Sequence, residues 1–221
     1  MQRFFDIIFS GIALVLLSPL LMLLMFILRV TGEGEIFFPQ IRIGRDGKNF
    51  KLYKFATMLK ESPNMGTGTI TVKNDPRVLP MGGFLRKTKI NELPQLINIL
   101  NGDMSVIGPR PQTQRCFDAF PLSSQNEIIK VRPGLSGVGS VIFRDEENMM
   151  DKNNDPDKFY DEIVMPYKGS LEDWYVSHQN IFSYFSLIAL TIWVGLGFSS
   201  GLAWKLFKDL PSPPEALDKW M

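Results

Sequence analysis

The feature that most constrains the fold is an uncharged stretch of 22 residues, Ile7 to Leu28, near the start of the sequence. About 20 apolar residues in a helix are long enough to cross the hydrocarbon core of a bilayer. A cleavable signal peptide is disfavoured, because the stretch is longer than a typical apolar signal region and Arg29-Val30-Thr31 offers no small-residue cleavage site. The stretch therefore predicts a retained membrane helix.

Ser18 and Pro19 lie in the middle of this apolar stretch. A proline removes one backbone donor and bends a helix, and a serine hydroxyl can hydrogen-bond a carbonyl that has lost its donor. Charged residues stand at both ends of the stretch, at Arg3, Asp6 and Arg29. This pattern fits a kinked helix that returns to the same interface as well as it fits a straight span.

The charges of the chain are divided between a basic and an acidic half. Residues 42–115 contain 13 Lys and Arg against 5 Asp and Glu, whereas residues 116–221 contain 9 against 15. The basic half favours an anionic partner, such as phosphate groups or lipid headgroups, and a solvated polar surface is the alternative. Nucleic acid fits poorly, because few aromatic residues are interleaved with the basic ones. Cys116 is the sole cysteine of the sequence, so no intramolecular disulfide can form.

The pattern after residue 30 predicts a domain followed by a second apolar segment. Alternating apolar and polar residues around Gly44 and Asp46-Gly47 predict a short β-hairpin. A stretch of 26 uncharged residues, Gln179 to Trp204, predicts a second membrane helix or an interfacial helix.

The expected fold class is α/β, mostly helical with a small sheet or hairpin. We expect a membrane helix at residues 1–30, a domain at 31–178, an apolar helix at 179–207 and a tail at 208–221.

The stretch KINELPQLINILNG, from Lys89 to Gly102, predicts a capped helix. Asn91 is a candidate N-cap, Pro94 falls in the first turn, and Gly102 is suited to a left-handed C-cap. Glu92 would then occupy the first helical position, where free amides and the helix dipole favour an ionised carboxylate or a phosphate. The apolar residues at helical spacing are Leu93, Leu96, Ile97 and Leu100.

Basic residues stand on both sides of this predicted helix. Arg86 and Lys87 precede it, and Arg110 lies in a restricted Gly108-Pro109-Arg110-Pro111 backbone that suits bidentate contact with phosphate oxygens. An ordinary capped amphipathic helix with solvated charges explains the same residues, so these patterns leave both interpretations open.

Three motifs together resemble the bacterial sugar transferase family, the small monotopic phosphoglycosyl transferases. They are QIRIGRDGKNFKLYKF at residues 40–55, FLRKTKINELPQLINILNGDMSVIGPRP at 84–111 and VRPGLSG at 131–137. The resemblance implies a monotopic membrane protein with a re-entrant helix kinked at Ser18 and Pro19, amphipathic interfacial helices and a catalytic domain on the cytoplasmic face of the bacterial inner membrane. It also implies Mg²⁺, a UDP-sugar donor and a polyprenyl phosphate acceptor.

The resemblance also implies the reaction, which is transfer of a sugar 1-phosphate to polyprenyl phosphate with release of UMP, the first step of surface glycan assembly. Two alternatives remain: a non-catalytic membrane scaffold of the same fold, and a glycosyl transferase that releases UDP. Membrane lipid is an expected partner, and the oligomeric state is left open, a homo-oligomer included.

The family's catalytic Asp-Glu pair is Asn91-Glu92 in this sequence. In the family the aspartate attacks the sugar-bearing phosphorus, and an amide oxygen is a much poorer nucleophile than a carboxylate. Asp145 occupies a position where the family has an asparagine. We therefore hypothesise a swap, in which Glu92 or Asp145 provides the carboxylate that binds Mg²⁺ or attacks phosphorus. A place in a solvated acidic run is the alternative for Asp145.

Five residues are expected to bind substrate, four of them implied by the resemblance and Lys87 as part of the basic stretch before the predicted helix. They are Arg86, Lys87, Arg110, Arg144 and Asp173. The sequence departs from the family at Ala56 and Gly83, where arginines are expected. His178, the single histidine, is interpreted as a polar anchor at the start of the last helix.

Overall fold

A computed structural model of the chain describes residues 1–65, 75–144, 146 and 156–220. It is mostly helical with two small sheets and begins with one long apolar helix, α1, at Gln2–Val30. This helix is long and apolar enough to cross a membrane, and within the described residues no other helix meets that criterion. The expected α/β class, mostly helical with a small sheet, is confirmed.

Helix α1 continues through Pro19 without interruption. Because proline has no N–H, the carbonyl of Val15, four residues earlier, loses its helical donor. The hydroxyl of Ser18 donates to that carbonyl at 2.8 Å. The expected role of the serine is therefore confirmed, whereas a change of direction at this point stays a prediction.

The whole length of α1 lies against the domain. At its N-terminal end, Arg3 donates to the carbonyl of Leu100 at 2.8 Å, and the buried carboxylate of Asp6 accepts hydrogen bonds from the backbone of Val106 and the hydroxyl of Tyr184. At its C-terminal end, buried apolar side chains of α1 pack with the domain core. The side chains at that contact are Leu24, Leu28, Phe55 and Leu85.

The opposite face of α1 is a row of exposed apolar side chains. A helix of 29 residues is about 43 Å long, so this face is far larger than the apolar patches common on soluble monomers. Its exposed members are Phe4, Ile7, Phe9, Ile12, Val15, Leu16, Leu20, Met22, Leu23, Phe26 and Val30.

The expected hairpin is present. Strand β1, Gln40–Ile43, pairs antiparallel with β2, Asn49–Leu52. The turn holds Asp46 and Gly47 at positive φ, as a tight turn of this sequence requires. A second sheet pairs β3, Ser105–Ile107, in parallel with β4, Gly134–Ser136.

Short helices surround these strands and carry most of the core. The remaining helices are α2 (Gly82–Lys87), α3 (Gln95–Asn101), α4 (Gln114–Asp118), α5 (Leu122–Ile128), α6 (Val138–Ile142), α7 (Pro156–Phe159), α8 (Met165–Ser177), α9 (Ile181–Gly195) and α10 (Leu202–Leu206). A π-helical turn, Tyr160–Val164, joins α7 to α8. The largest core cluster lies between α6, α8 and α9.

The start of α3 differs from the sequence expectation. Residues Ile90–Glu92 form a separate 3₁₀ turn, and α3 begins after Pro94, so Asn91 is not its N-cap and makes no capping hydrogen bond. The C-terminal end is as expected, since Gly102 adopts the left-handed conformation and donates to the carbonyls of α3.

The expected apolar stripe of α3 is also partly wrong. Leu96 and Ile99 are buried, whereas Ile97 and Leu100 are exposed. The helix therefore presents a different face to the core, because Asn98 is turned inward. The Asn98 side chain donates to the carbonyl of Lys51 at 2.7 Å and accepts from the amide of Tyr53 at 3.0 Å.

The apolar stretch from Gln179 to Trp204 forms two helices rather than one. Helix α9 ends at Gly195, and α10 begins at Leu202. The 15 residues of α9 extend about 22 Å, which is less than the bilayer core of about 30 Å. This segment therefore lacks a helix of spanning length.

His178 caps α8 and stacks on Trp174, with Nε2 at 2.8 Å from the carboxylate of Asp209.

Candidate active site

The candidate site is centred on the carboxylate of Glu92. Its Oε1 lies 3.6 Å from Nζ of Lys54 and 3.4 Å from a guanidinium nitrogen of Arg110. The side chains of Glu92 and Lys54 are mostly buried, and that of Arg110 is partly exposed. One anion is thus held between two cations at the edge of the protein surface.

Three separate elements bring these side chains together. Lys54 follows β2, Glu92 ends the 3₁₀ turn before α3, and Arg110 lies in the loop after β3. The amide of Phe55 donates to the carbonyl of Asn91 at 2.9 Å, which joins the end of the hairpin to the 3₁₀ turn. Asn98 makes a second connection from α3 to the hairpin. These backbone connections fix the lysine beside the glutamate.

The charges of the cluster shift one another's pKa values. Burial alone would raise the pKa of Glu92, but the charges of Arg110, Lys54 and Lys89 outweigh it and lower the pKa to about 2. Burial lowers the pKa of Lys54 to about 8, against the opposing attraction of Glu92. Glu92 is therefore ionised at neutral pH. The ammonium group of Lys54 loses its proton at about pH 8.

A cleft opens beside this cluster. Arg42, Lys54 and Arg110 line it, together with the apolar or neutral residues Leu52, Gln95, Pro111 and Gly134. Burial, and next the charge of Arg110, lower the pKa of Arg42 to about 10. Three cations beside one carboxylate leave the cleft with an excess of positive charge at neutral pH, which suits an anion with several oxygens, such as a diphosphate.

Asn91 lies next to Glu92 and is only 7% exposed. Its side-chain oxygen Oδ1 is buried without a hydrogen-bond partner among the described residues. A buried orphan oxygen in a native fold is unusual and is often satisfied by a ligand, an ion or a water molecule. The side-chain oxygen of Asn91 is thus a candidate neutral ligand on the residue that precedes Glu92.

The described residues contain no cluster of three or more His, Cys, Asp or Glu side chains that could hold a metal ion. Mg²⁺ needs no such cluster, because it is commonly held by one or two carboxylates together with substrate phosphates and water. Glu92 and the orphan oxygen of Asn91 fit this mode of binding. The residues present are therefore compatible with an ion that arrives with a phosphorylated substrate.

The other residues predicted from the sequence occupy varied places. Arg86 is half-buried near Met58, and its charge contributes to the lowered pKa of Lys54, so it borders the cluster. Lys87 is exposed at the end of α2. Asp145 lies outside the described residues.

Arg144 and Asp173 make their described contacts elsewhere. Arg144 donates to the carbonyl of Gly195 at the end of α9, at 3.4 Å. Asp173 accepts a hydrogen bond from Ser124 of α5 at 2.6 Å. Their assignment to substrate binding stays a prediction, since neither has a described contact with Glu92, Lys54 or Arg110.

Sequence reasoning missed three charged residues around Arg110. Lys54 and Arg42 lie in the hairpin motif, where the basic residues resemble solvated strand positions. Glu172 lies on α8, 3% exposed, and its Oε1 accepts from the amide of Arg110 at 3.4 Å. The segment Leu52-Tyr53-Lys54-Phe55, part of the hairpin motif, could have indicated that Lys54 belongs to the site. The sequence around Glu172 contains no comparable motif.

Comparison with known proteins identifies the family. Residues 1–197 match the family described as bacterial sugar transferase. The chain belongs to this family. As a bacterial sugar transferase, it is 35% identical over 159 residues to the exopolysaccharide production protein ExoY of Rhizobium meliloti, covering 66% of this chain and 70% of that protein.

Two further relatives of this bacterial sugar transferase have names that state a reaction. The UDP-glucose:undecaprenyl-phosphate glucose-1-phosphate transferase of Klebsiella pneumoniae is 37% identical over 154 residues, covering 68% of this chain and 33% of the relative. The UDP-N-acetylgalactosamine-undecaprenyl-phosphate N-acetylgalactosaminephosphotransferase of Aeromonas hydrophila is 37% identical over 145 residues, covering 64% of this chain and 34% of the relative.

Proposed function

We propose that the protein transfers a sugar 1-phosphate from a UDP-sugar to undecaprenyl phosphate or a similar polyprenyl phosphate, releases UMP and thereby initiates surface glycan assembly. The observation that carries the proposal is the ionised Glu92 held between Lys54 and Arg110 beside a cationic cleft. The names of the relatives from Klebsiella and Aeromonas support the donor and acceptor classes.

The proposed chemistry assigns tasks to the charged side chains at the cleft. Arg42, Lys54 and Arg110 bind the diphosphate oxygens and stabilise negative charge that develops during transfer. The bond that breaks joins the sugar-bearing phosphorus to the bridging oxygen, and UMP departs with that oxygen and its electron pair. The bond that forms joins the same phosphorus to an oxygen of polyprenyl phosphate. Either this oxygen attacks directly, or Glu92 or Asp145 attacks first as UMP leaves, and the lipid oxygen then displaces the carboxylate, whose bond to phosphorus breaks.

Mg²⁺ is proposed as the cofactor, with Glu92 and the side-chain oxygen of Asn91 as its protein ligands and Asp145 as a further candidate ligand. The ion would neutralise charge on the diphosphate oxygens. A binding test that does not depend on turnover is calorimetry of UDP with and without Mg²⁺. The affinity for UDP is expected to rise with Mg²⁺ in the wild-type protein and to lose that dependence in Glu92→Gln.

The membrane arrangement is proposed from the packing of α1. Because both ends of α1 contact the domain, its exposed apolar row faces outward along one side of the molecule. This supports a monotopic protein whose first helix enters the bilayer and returns, with α9 and α10 lying at the interface and the domain on the cytoplasmic face. The predicted bend at Ser18 and Pro19 belongs to this proposal.

Topology can be tested by cysteine labelling. In a Cys116→Ser background, single cysteines at Gln2 and Thr31 would be probed with a membrane-impermeant reagent in oriented vesicles. The re-entrant arrangement predicts that both label from the same side. Labelling from opposite sides would contradict it.

The nucleotide product separates the three candidate functions. Purified protein would be incubated with undecaprenyl phosphate, Mg²⁺ and a panel of UDP-sugars, and the released nucleotide identified by chromatography. UMP is the expected product. UDP would indicate the glycosyl transferase alternative, and no nucleotide release across a broad panel would indicate the scaffold alternative, which Asn91 motivates.

The carboxylate swap has its own test. A sugar-phosphate adduct trapped on the protein without acceptor would be mapped by mass spectrometry, with Glu92 and Asp145 as the expected positions. If Glu92→Gln and Asp145→Asn both kept full turnover, the swap would be wrong. Adduct formation on neither residue, with turnover intact, would favour direct attack by the lipid phosphate.

A further inference from the structure

The loop that carries Arg110 is held through its backbone by several elements. Gly108 donates to the carbonyl of Ser136 at 2.9 Å, and the carbonyl of Pro109 accepts from the amide of Gly134 at 2.8 Å. The carbonyl of Gln112 accepts from the amide of Ile43 at 3.0 Å. These contacts fix the loop on both sides of Arg110 to the two sheets.

The amide of Arg110 itself is satisfied differently. Since Pro109 and Pro111 have no N–H, Arg110 supplies the central backbone donor of this loop. Its partner is not a backbone carbonyl but Oε1 of Glu172 on α8. Glu172 thus contacts the backbone of Arg110, whereas Glu92 contacts its guanidinium group.

The surroundings of Glu172 are tightly built. The residue is 3% exposed, and its second oxygen, Oε2, is buried without a hydrogen-bond partner among the described residues. A Cβ atom placed on Gly139 of α6 would come within 2.5 Å of Oε1, so glycine leaves the room that the carboxyl group occupies. Lys168 and Asp173 of the same helix and Arg110 are the charged groups that influence it.

We propose that Glu172 is a positioning residue for Arg110, one that holds the arginine backbone so that its guanidinium faces the phosphate-binding cleft. This inference rests on the proposed function and extends it to a residue that does not itself line the cleft. A carboxyl group that only filled space would be disfavoured here, because burying a polar group with an unsatisfied oxygen costs free energy that an apolar side chain avoids.

The proposal depends on the acceptor oxygen rather than on negative charge. Burial raises the pKa of Glu172 to about 8, so the carboxyl group is mostly neutral at pH 7. A glutamine has the same shape and keeps a neutral acceptor oxygen for the Arg110 amide. A methionine has similar length but provides no comparable acceptor.

The test measures UDP affinity of the full chain in detergent by calorimetry at pH 7. Glu172→Met is expected to weaken UDP binding about 10-fold, and Glu172→Gln to stay within about two-fold of wild type. Tyr167→Phe is the matched control, because it removes one partly buried hydrogen bond from the same helix, to the carbonyl of Pro211, without touching the arginine. It is expected to leave UDP affinity unchanged.

A double-mutant cycle with Arg110→Met tests whether Glu172 acts through the arginine. If it does, Glu172→Met weakens UDP binding less than about two-fold once Arg110 is absent. The proposal would be overturned if the losses of UDP affinity in the two single variants multiplied in the double variant. It would also be overturned if Glu172→Met bound UDP as tightly as wild type, or if Glu172→Gln bound it as weakly as Glu172→Met.

Gly139→Ala is a second route if Glu172→Met fails to fold. Its added methyl group presses on Oε1 and should weaken UDP binding several-fold, and wild-type affinity in this variant would contradict the proposal. Failure of the proposed function looks different. A wild-type protein that binds UDP but releases no UMP contradicts the reaction alone, whereas one that does not bind UDP contradicts both.

Discussion

Two glutamates contact different parts of Arg110, and at neutral pH one is ionised while the other is mostly neutral. Glu92 contacts the guanidinium and the ammonium group of Lys54, and its pKa is lowered to about 2 despite burial. Glu172 contacts the backbone of the same arginine, and burial raises its pKa to about 8. Both side chains are largely buried, so burial alone does not decide whether a carboxyl group is charged.

The difference lies in what each carboxyl group faces. Glu92 receives two cations on one oxygen, whereas Glu172 receives one weak backbone N–H and leaves its second oxygen without a partner among the described residues. Groups whose environments separate their pKa values in this way are typical of catalytic sites, where one carboxylate reacts or binds metal and another stays neutral. The arginine between them connects the charged side of the site to its neutral support.

The largest expected effect comes from removing the charged member of the pair. Glu92→Gln is expected to lower the rate of UMP release by about 1,000-fold, because it removes the anion that binds Mg²⁺ or attacks phosphorus. The measurement is nucleotide release with undecaprenyl phosphate and the preferred UDP-sugar. Glu127→Gln, an exposed glutamate paired with Lys130, is the control and should retain the wild-type rate. A Glu92→Gln variant with at least a tenth of that rate would remove Glu92 from the chemistry.

The second effect concerns the cation beside Glu92. Lys54→Met is expected to weaken UDP binding about 30-fold at pH 7, roughly 2 kcal/mol for one charge-assisted contact. Because burial lowers the pKa of Lys54 to about 8, the wild-type affinity should fall as pH rises through 8, where the ammonium group loses its proton.

Calorimetry between about pH 6.5 and 9 checks this dependence, with Lys54→Met expected to show a flatter profile than wild type. Lys130→Met is the control for loss of a surface charge. Identical slopes for wild type and Lys54→Met would show that another group produces the pH dependence.

The third effect uses stability to contrast the two glutamates. The folded-state pKa of Glu172 is raised from the ordinary 4.5 to about 8, so its ionisation costs stability progressively as pH rises from 4.5 to about 8. Glu172→Gln should therefore be more stable than wild type by up to about 4 kcal/mol at pH 8, with little difference at pH 4.5.

Glu92 should behave with the opposite sign. Its lowered pKa contributes stability that is present above pH 4.5 and lost as pH falls toward about 2, so Glu92→Gln should be less stable than wild type at neutral pH. Urea unfolding in detergent at several pH values measures both differences. Equal signs for the two variants at pH 8 would break the contrast between them.

The smallest effect concerns Lys168, whose charge opposes the raised pKa of Glu172. Removing it in Lys168→Met should raise that pKa slightly further. The measurement is the stability gained by Glu172→Gln as a function of pH, recorded once in the wild-type background and once in the Lys168→Met background. The pH at which this gain reaches half its full size should lie higher in the second background. A shift of that midpoint to lower pH would show that Lys168 raises the pKa of Glu172 rather than lowering it.

Local sequence signals predicted the local features well. The hairpin around Asp46-Gly47 and the left-handed cap at Gly102 depend on residues within a few positions of one another. The uncharged stretch predicted the long first helix, and Ser18 satisfies the carbonyl that Pro19 leaves without a donor. Each of these features follows from the backbone chemistry of one short segment.

Contacts between distant segments could not be predicted in this way. Asn91 has the chemistry of an N-cap, but the hydrogen bond between Phe55 and its carbonyl holds it in a 3₁₀ turn instead. Strands β3 and β4 have three residues each and are separated by two helices, so neither has a detectable period. Glu172 joins the site only because α8 packs behind the Arg110 loop.

The attachment of α1 at both ends has a mechanical consequence. Asp6 is hydrogen-bonded to β3 and α9 at one end, and Leu28 packs against Phe55 at the other, so we expect the helix and the domain to move together. Phe55 directly follows Lys54 in the chain. The depth of α1 in the bilayer would therefore also set the distance of Lys54 and its neighbours from the acyl chains. An acceptor whose phosphate sits at a fixed level in the bilayer would then meet the cleft without any hinge motion.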